Sequence, residues 1–184
     1  MFIIKKNYYF YIDNTKSIDL NLIKRNSKIT IIYRNNLLNE STKQLLKFRK
    51  KCKRLKISFY VANNLKLTKK IQADGLYVSS YNKKIFKNIN VIGSAHNSKE
   101  IIQKIRQGCN TIIFSRLFKT NYKKKNTFYG IVRFNLIAQK HKINLIPLGG
   151  ITNLNLLRLN LVKSIGLASL SAIKKKPAIS SRLF

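Results

Sequence analysis

Acid is scarce in this chain of 184 residues: Asp13, Asp19, Glu40, Asp74 and Glu100 are its only carboxylate side chains, against 38 lysines and arginines. None of the five forms a close pair at an obvious strand end, which excludes a strong Mg²⁺ site built from two carboxylates. No apolar run approaches the roughly 18 residues that span a bilayer, so no membrane partner is expected. The opening MFIIKKNYYFYIDN is broken by Lys5, Lys6 and Asn7 and lacks a small-residue cleavage site, which argues against a secretory signal. Cys52 and Cys109 match no metal or redox spacing and read as buried thiols in a reducing compartment, so a cytoplasmic location is expected. With only 2 Pro and 7 Gly against 45% hydrophobic residues, the chain is neither low-complexity nor a disordered basic tail.

What is abundant is positive charge, a formal +33. Such a surplus attracts polyanions. The lysines are nevertheless spread from end to end among many Ile and Asn, and no nucleic-acid-binding module is present, so no specific nucleic-acid partner is expected. The length suits one domain, residues 1–184.

Eight short apolar, β-branched or aromatic runs predict strands at Tyr8–Ile12, Ile29–Tyr33, Ile57–Val61, Gly75–Val78, Asn90–Gly93, Thr111–Phe114, Asn144–Leu148 and Gly166–Leu170. Segments of helical period lie between them. Glu40–Lys53 turns Leu45, Leu46 and Phe48 inward; Ser98–Gln107 carries Ile101, Ile102 and Ile105 on one stripe behind a Ser98 cap. Tyr129–His141 and Asn153–Val162 follow. Serial βα units of this kind predict an α/β fold, a compact (β/α)₈ TIM barrel. At 184 residues it falls short of the usual minimum of about 200. The first, fourth and last helices are expected to be shortened. An open doubly wound sheet is the alternative architecture.

Chemistry in such barrels sits at the C-terminal ends of the strands, with phosphates near strands seven and eight. LIPLGGITN therefore stands out, because Gly149 and Gly150 let backbone amides approach a phosphate. Ser169 and Ser171 after the eighth run are candidates for the same cavity. Arg34 ends the second strand. His96 follows the fifth as a candidate acid/base, and Thr120 and Lys123 lie in the loop after the sixth, where an ammonium suits a phosphate or diphosphate.

Taken in order, YFYIDN, ITIIYRN, QADGLYVSS, VIGSAHNSKE, FSRLFKT, IPLGGITN and GLASLSAI resemble the thiamine phosphate synthase and thiazole tautomerase family, with ADG, GSAH and PLGGIT the most specific elements. The resemblance implies a compact (β/α)₈ barrel. Arg34 matches the central arginine of the family's second-strand motif, with Ile32 and Asn36 replacing its other members. Ser94 and His96 match the fifth-strand motif, in a version one residue shorter than usual. Thr120 and Lys123 match the sixth-loop pair, and Gly149, Gly150 and Ser171 the thiazole phosphate pocket. The two carboxylates expected to bind Mg²⁺ fall on Asn63 and Asn82, both amides.

By that resemblance the protein is a transferase that couples hydroxymethylpyrimidine diphosphate with thiazole phosphate and releases diphosphate. Arg34, Lys123 and a weakly held Mg²⁺ would absorb the leaving group's charge. The alternative within the family is a tautomerase acting on a thiazole carboxylate phosphate, with His96 as acid/base and no need for the metal carboxylates. A noncatalytic barrel that binds a phosphorylated ligand is the third reading. The expected partners are the two phosphorylated small molecules, and homodimer formation is left open.

Overall fold

The computed structural model describes residues 7–23, 28–35, 40–120 and 127–169. Eight strands are present: β1 Asn7–Ile12, β2 Lys28–Tyr33, β3 Ser58–Ala62, β4 Gly75–Val78, β5 Val91–Ala95, β6 Thr111–Ser115, β7 Asn144–Leu148 and β8 Gly166–Ser169. All neighbours pair parallel, and β8 returns to β1 to close the barrel, so the open sheet is excluded. The helices are α1 Thr42–Arg54, α2 Leu65–Lys70, α3 Ser98–Arg106 and α4 Gly130–His141. None of the described helices is long and apolar enough to cross a membrane.

The two-residue period of the strands sorts side chains into two cores. On β1, Tyr8, Phe10 and Ile12 face outward into the layer beneath the helices, while Tyr9 and Tyr11 face the barrel interior. Ile32, Tyr77, Ile92, Ile113, Ile146 and Ala168 join them inside. The outer layer takes Phe48 and Cys52 from α1, Ile101 from α3 and Phe134 from α4. Each fully buried large apolar side chain contributes roughly 1.5–3 kcal/mol.

Departures from the expected helices each have a local cause. The cap of α3 is Asn97, whose side chain accepts from Glu100 N at 2.9 Å, and Ser98 is the first helical residue. In α1 the cap is Ser41, in a reciprocal box with Gln44. Leu46 is exposed, and the inward stripe of α1 is Leu45, Phe48 and Cys52. The segment expected as a helix over Asn153–Val162 forms two 3₁₀ turns, Asn153–Asn155 and Leu157–Leu161. The shortened first helix is likewise two 3₁₀ turns, Thr15–Ser17 and Leu20–Leu22. The last helix falls outside the described residues.

No helix forms in the fourth connection, between β4 and β5; an irregular segment runs there instead. It is pinned by α3. Lys104 is fully buried where the apolar stripe would have placed Ile102 and Ile105, which are exposed. Its Nζ donates to the carbonyls of Ser79 and Asn82, both at 2.7 Å, and to Gln107 Oε1 at 2.8 Å. Gln107 Nε2 donates in turn to the carbonyls of Asn82 at 3.0 Å and Lys84 at 2.7 Å. Gly93 makes this crossing possible, since a Cβ there would lie 3.0 Å from the Lys104 stem and 2.9 Å from Cys109 Sγ. Burial holds the Lys104 ammonium below the usual lysine value, and three oxygen acceptors offset its desolvation.

At the opposite end of the barrel, Asp74 ties three elements together. Its Oδ1 accepts from Arg49 Nη2 of α1 at 2.5 Å, and its Oδ2 accepts from Phe59 N of β3 at 2.7 Å, just before β4 begins. Arg49 Nε also donates to Gln72 O at 3.0 Å. Asp74→Ala leaves the Phe59 amide and the guanidinium without their acceptor, and urea unfolding is expected to show a loss of about 1–3 kcal/mol. Lys104→Met keeps the stem against Gly93 but strips the ammonium from two carbonyls. It is expected to cost a similar amount, roughly 1–3 kcal/mol, and to speed hydrogen exchange selectively in residues 79–84.

Candidate functional site

The C-terminal ends of the strands surround a cavity of about 360 Å³. Its floor is aromatic. Tyr11 OH donates to Tyr77 OH at 3.0 Å, the rings meet edge to face with centroids 5.4 Å apart, and Ser94 hydrogen-bonds Tyr77. Burial holds Tyr11 well above the ordinary phenol value and raises Tyr77 as well, with the nearby Arg34 charge opposing the shift at both. Both phenols are therefore neutral through the physiological range and act as hydrogen-bonding groups.

Most of the expected site residues meet at this mouth. Arg34 follows β2, Ser94 is the last residue but one of β5, His96 follows that strand, and Thr120 and Gly149 belong to the loops after β6 and β7; all five line the cavity. The first turn of α3 fixes His96. Its backbone N donates to Glu100 Oε2 at 2.8 Å, its Nδ1 lies 3.1 Å from the same oxygen, and its carbonyl accepts from Tyr129 OH at 2.6 Å. A carboxylate on Nδ1 favours the tautomer with the proton there.

Gly149 and Gly150 adopt positive φ of 96° and 69°. Their need for glycine comes from the loop after β6, which is laced onto β7 by Leu117 N donating to Leu148 O at 2.9 Å and Phe118 N to Gly149 O at 3.1 Å. A Cβ on Gly150 would fall 2.5 Å from the carbonyl oxygens of Phe118 and Lys119. Gly150 thus backs the wall that Gly149 lines.

Ser169 is not brought to the cavity. It follows Ala168, which faces the barrel interior, and alternation turns Ser169 to the other side beside Phe10. Lys123, Ser171 and Asn36 lie outside the described residues.

Asn63 and Asn82 are brought together, but they are turned on one another. Asn63, in the left-handed region at φ 54°, accepts at Oδ1 from Ser79 N at 3.0 Å and from Asn82 Nδ2 at 3.2 Å. Its Nδ2 donates to Ser79 Oγ at 2.7 Å and Tyr81 OH at 3.0 Å. Asn82 Oδ1 accepts from Lys84 N at 3.0 Å. Both amide oxygens therefore already face N–H donors. No group of three or more His, Cys, Asp or Glu that could hold a metal exists among the described residues. Neutral oxygens already engaged by donors, above the Lys104 ammonium, do not fit a Mg²⁺ ion, which demands six well-placed oxygens.

Sequence reasoning missed Tyr11, Tyr77, Ser79 and Arg116, all of which line the cavity. The alternation in YYFYI carried a signal for Tyr11, because it puts Tyr9 and Tyr11 on the face opposite Tyr8, Phe10 and Ile12. Arg116 lay unremarked inside FSRLFKT. Its Nη1 donates to Thr120 Oγ1 at 3.2 Å, and its stem covers Gly149, where an added Cβ would come within 3.1 Å of Arg116 Cγ.

A family model described as thiamine monophosphate synthase matches residues 15–173. A thiamine-phosphate synthase of Clostridium perfringens is 27% identical over 146 residues, covering 73% of this chain and 70% of that protein. One from Prochlorococcus marinus is 27% identical over 129 residues, 66% of this chain but only 36% of that protein, so the chain spans about a third of that relative. Among solved structures, thiamine phosphate pyrophosphorylase from Pyrococcus furiosus superposes with a TM-score of 0.74 at 18% identity, over 97% of this chain and 91% of that one. With a closed parallel barrel and a family match running from the turn after β1 to beyond β8, the chain belongs to the thiamine monophosphate synthase family.

Proposed function

We propose that the protein is a thiamine phosphate synthase-type transferase, residues 1–184 acting as one barrel domain. It would join hydroxymethylpyrimidine diphosphate to thiazole phosphate. In that reaction the bond from the pyrimidine methylene carbon to the diphosphate oxygen breaks, the thiazole nitrogen bonds to that carbon, and diphosphate leaves with its electron pair. The observation that carries the reading is a cavity at the chemically active end of a family barrel, lined by two arginines, Arg34 and Arg116, together with Ser94 and Thr120.

The cationic side chains suit charge developing on the leaving group, the largest single need of such a step. Lys123, in the same loop as Thr120, is proposed to add an ammonium. Gly149, Gly150 and Ser171 are proposed to hold the thiazole phosphate. The neutral tyrosine floor offers a flat face for an aromatic heterocycle and withholds a phenolate that would compete with the thiazole nitrogen for the pyrimidine methylene carbon. Because the amide pair does not fit Mg²⁺, no step is assigned to a metal.

The decisive assay supplies the purified protein with both phosphorylated half-molecules and follows formation of thiamine phosphate. Product is expected, and Arg34→Gln is expected to lower kcat/KM about 100-fold with the fold intact by circular dichroism. Absence of product from folded protein that still binds thiazole phosphate would reject the synthase reading.

A second reading has its own observation. The His96 ring is oriented by Glu100 at the cavity edge, an arrangement suited to moving a proton on a thiazole carboxylate phosphate. Under it, His96→Ala abolishes isomer conversion while thiazole phosphate still binds, and normal conversion by that variant removes His96 from the chemistry. If neither product forms, the remaining reading is a phosphate-ligand-binding barrel.

A further inference from the structure

We propose that this pocket takes its phosphate or diphosphate anion directly, with no divalent cation between protein and ligand, and that Arg116 supplies the fixed counter-charge. The proposal rests on the family reading for the class of ligand. The manner of binding follows from three features of the site.

The first is the amide latch. Two carboxylates at positions 63 and 82 would repel one another and call for a cation to bridge them. Two amides attract: Asn82 Nδ2 donates to Asn63 Oδ1, which Ser79 N also reaches, and Asn82 Oδ1 is taken by Lys84 N. The rim after β4 is thus closed by its own hydrogen bonds.

The second is the charge beneath it. Lys104 Nζ donates to the backbone carbonyls of Ser79 and Asn82, the residues that carry the latch. The buried ammonium occupies the carbonyl oxygens that could otherwise turn toward an ion, and its charge opposes the approach of a second cation. The loop is held by a cation that belongs to the chain.

The third is Arg116. Its stem lies across Gly149, and its Nη1 is held by the Thr120 hydroxyl. Lysines abound on this protein, but a guanidinium differs in kind. It stays charged at every physiological pH, is less strongly hydrated than an ammonium, and meets phosphate oxygens two at a time. Arg34 follows β2 and Arg116 follows β6, so in an eight-stranded barrel they stand on opposite sides of the mouth. A dianion between them is flanked by positive charge without a metal bridge.

The test is calorimetric titration of the full chain with inorganic diphosphate at physiological ionic strength, once in EDTA and once with excess Mg²⁺. Because Mg²⁺ sequesters diphosphate in solution, the affinity in EDTA is expected to equal or exceed the apparent affinity with Mg²⁺, and Arg116→Gln is expected to weaken binding at least about tenfold, with Arg116→Lys recovering part of the loss. Lys50→Gln, which removes one charge from the outer face of α1, controls for diffuse attraction to the basic surface and should leave the affinity unchanged. In parallel, Mn²⁺ added to the protein alone should keep the paramagnetic resonance spectrum of the free aquo ion. Binding that appears only with Mg²⁺, or bound Mn²⁺ that is lost in Asn63→Ala, overturns this inference and leaves the proposed function standing. No diphosphate binding in either buffer overturns both. If Arg116→Gln behaves as Lys50→Gln does, Arg116 is not the counter-charge. Should Arg116→Gln fail to fold, Arg116→Lys and the comparison of the two buffers still decide.

Discussion

A barrel closed by strands of four to six residues has a narrow interior that must be filled, and here tyrosine does much of the filling. Tyr9, Tyr11, Tyr60 and Tyr77 project inward, and each brings a hydroxyl that burial makes expensive unless it is paired. Pairing dictates the order of the interior. Tyr9 finds Thr111 and Tyr11 finds Tyr77, which also meets Ser94. The floor of the cavity is therefore a by-product of closing the barrel. It is also rigid for the same reason, since moving one ring would orphan the hydroxyl of another. The space above it is left to short side chains at the strand ends, Ser79 and Ser94 among them.

The scarcity of acid shapes everything around that floor. Each of the five carboxylates has a hydrogen-bonding role in the structure: Asp13 accepts from Ser17, Asp19 caps the turn that follows it, Glu40 holds Thr15, Asp74 binds Arg49, and Glu100 orients His96. Only the last of these bears on the cavity, through the His96 ring that lines it. With carboxylates so few, buried positive charge is satisfied by backbone carbonyls, and Lys104 is the extreme case. An ammonium satisfied by carbonyl oxygens keeps its full charge, whereas one paired with a carboxylate would cancel it. The rim after β4 is in this way both hydrogen-bonded and electropositive.

How much of this could be read from the residues depended on whether the signal was local. The eight strands were legible because short β-branched and aromatic runs bounded by Gly, Asn and charged residues have few other uses, and their boundaries shifted by only a residue or so. Helices were harder. Ser98–Gln107 was placed correctly as a helix, but its buried face centres on Ile101 and Lys104, because hydrogen bonds to the loop after β4 outbid hydrophobicity. The fourth connection looked like a short helix on length alone, yet its backbone carbonyls are used by Lys104 and Gln107 from elsewhere in the chain. Arg34, Ser94, His96, Thr120 and Gly149, named from strand ends or from the family resemblance, line one cavity. Arg116 escaped because nothing in FSRLFKT distinguishes it from a solvated charge until Gly149 is laid against its stem. Of the two serines after the eighth run only Ser169 is described, and alternation beyond the inward Ala168 turns it to the outer face of the strand.

A site whose counter-charges belong to the chain differs energetically from one that recruits an ion. Arg34 and Arg116 line one mouth, with the buried Lys104 ammonium under the loop after β4, and in the empty protein these like charges repel one another. Folding must hold Lys104 through the carbonyls it meets and Arg116 through the lacing of the loop after β6 onto β7. An entering anion releases that repulsion, so ligand binding and fold stability draw on the same interactions, and each must strengthen the other. On the proposed function the positive groups would already be fixed when the anion arrived, leaving little reorganisation for binding or for the departure of diphosphate. The cost appears as stability forgone in the empty barrel, which the tyrosine-filled interior and the Asp74 tie at the far end have to offset.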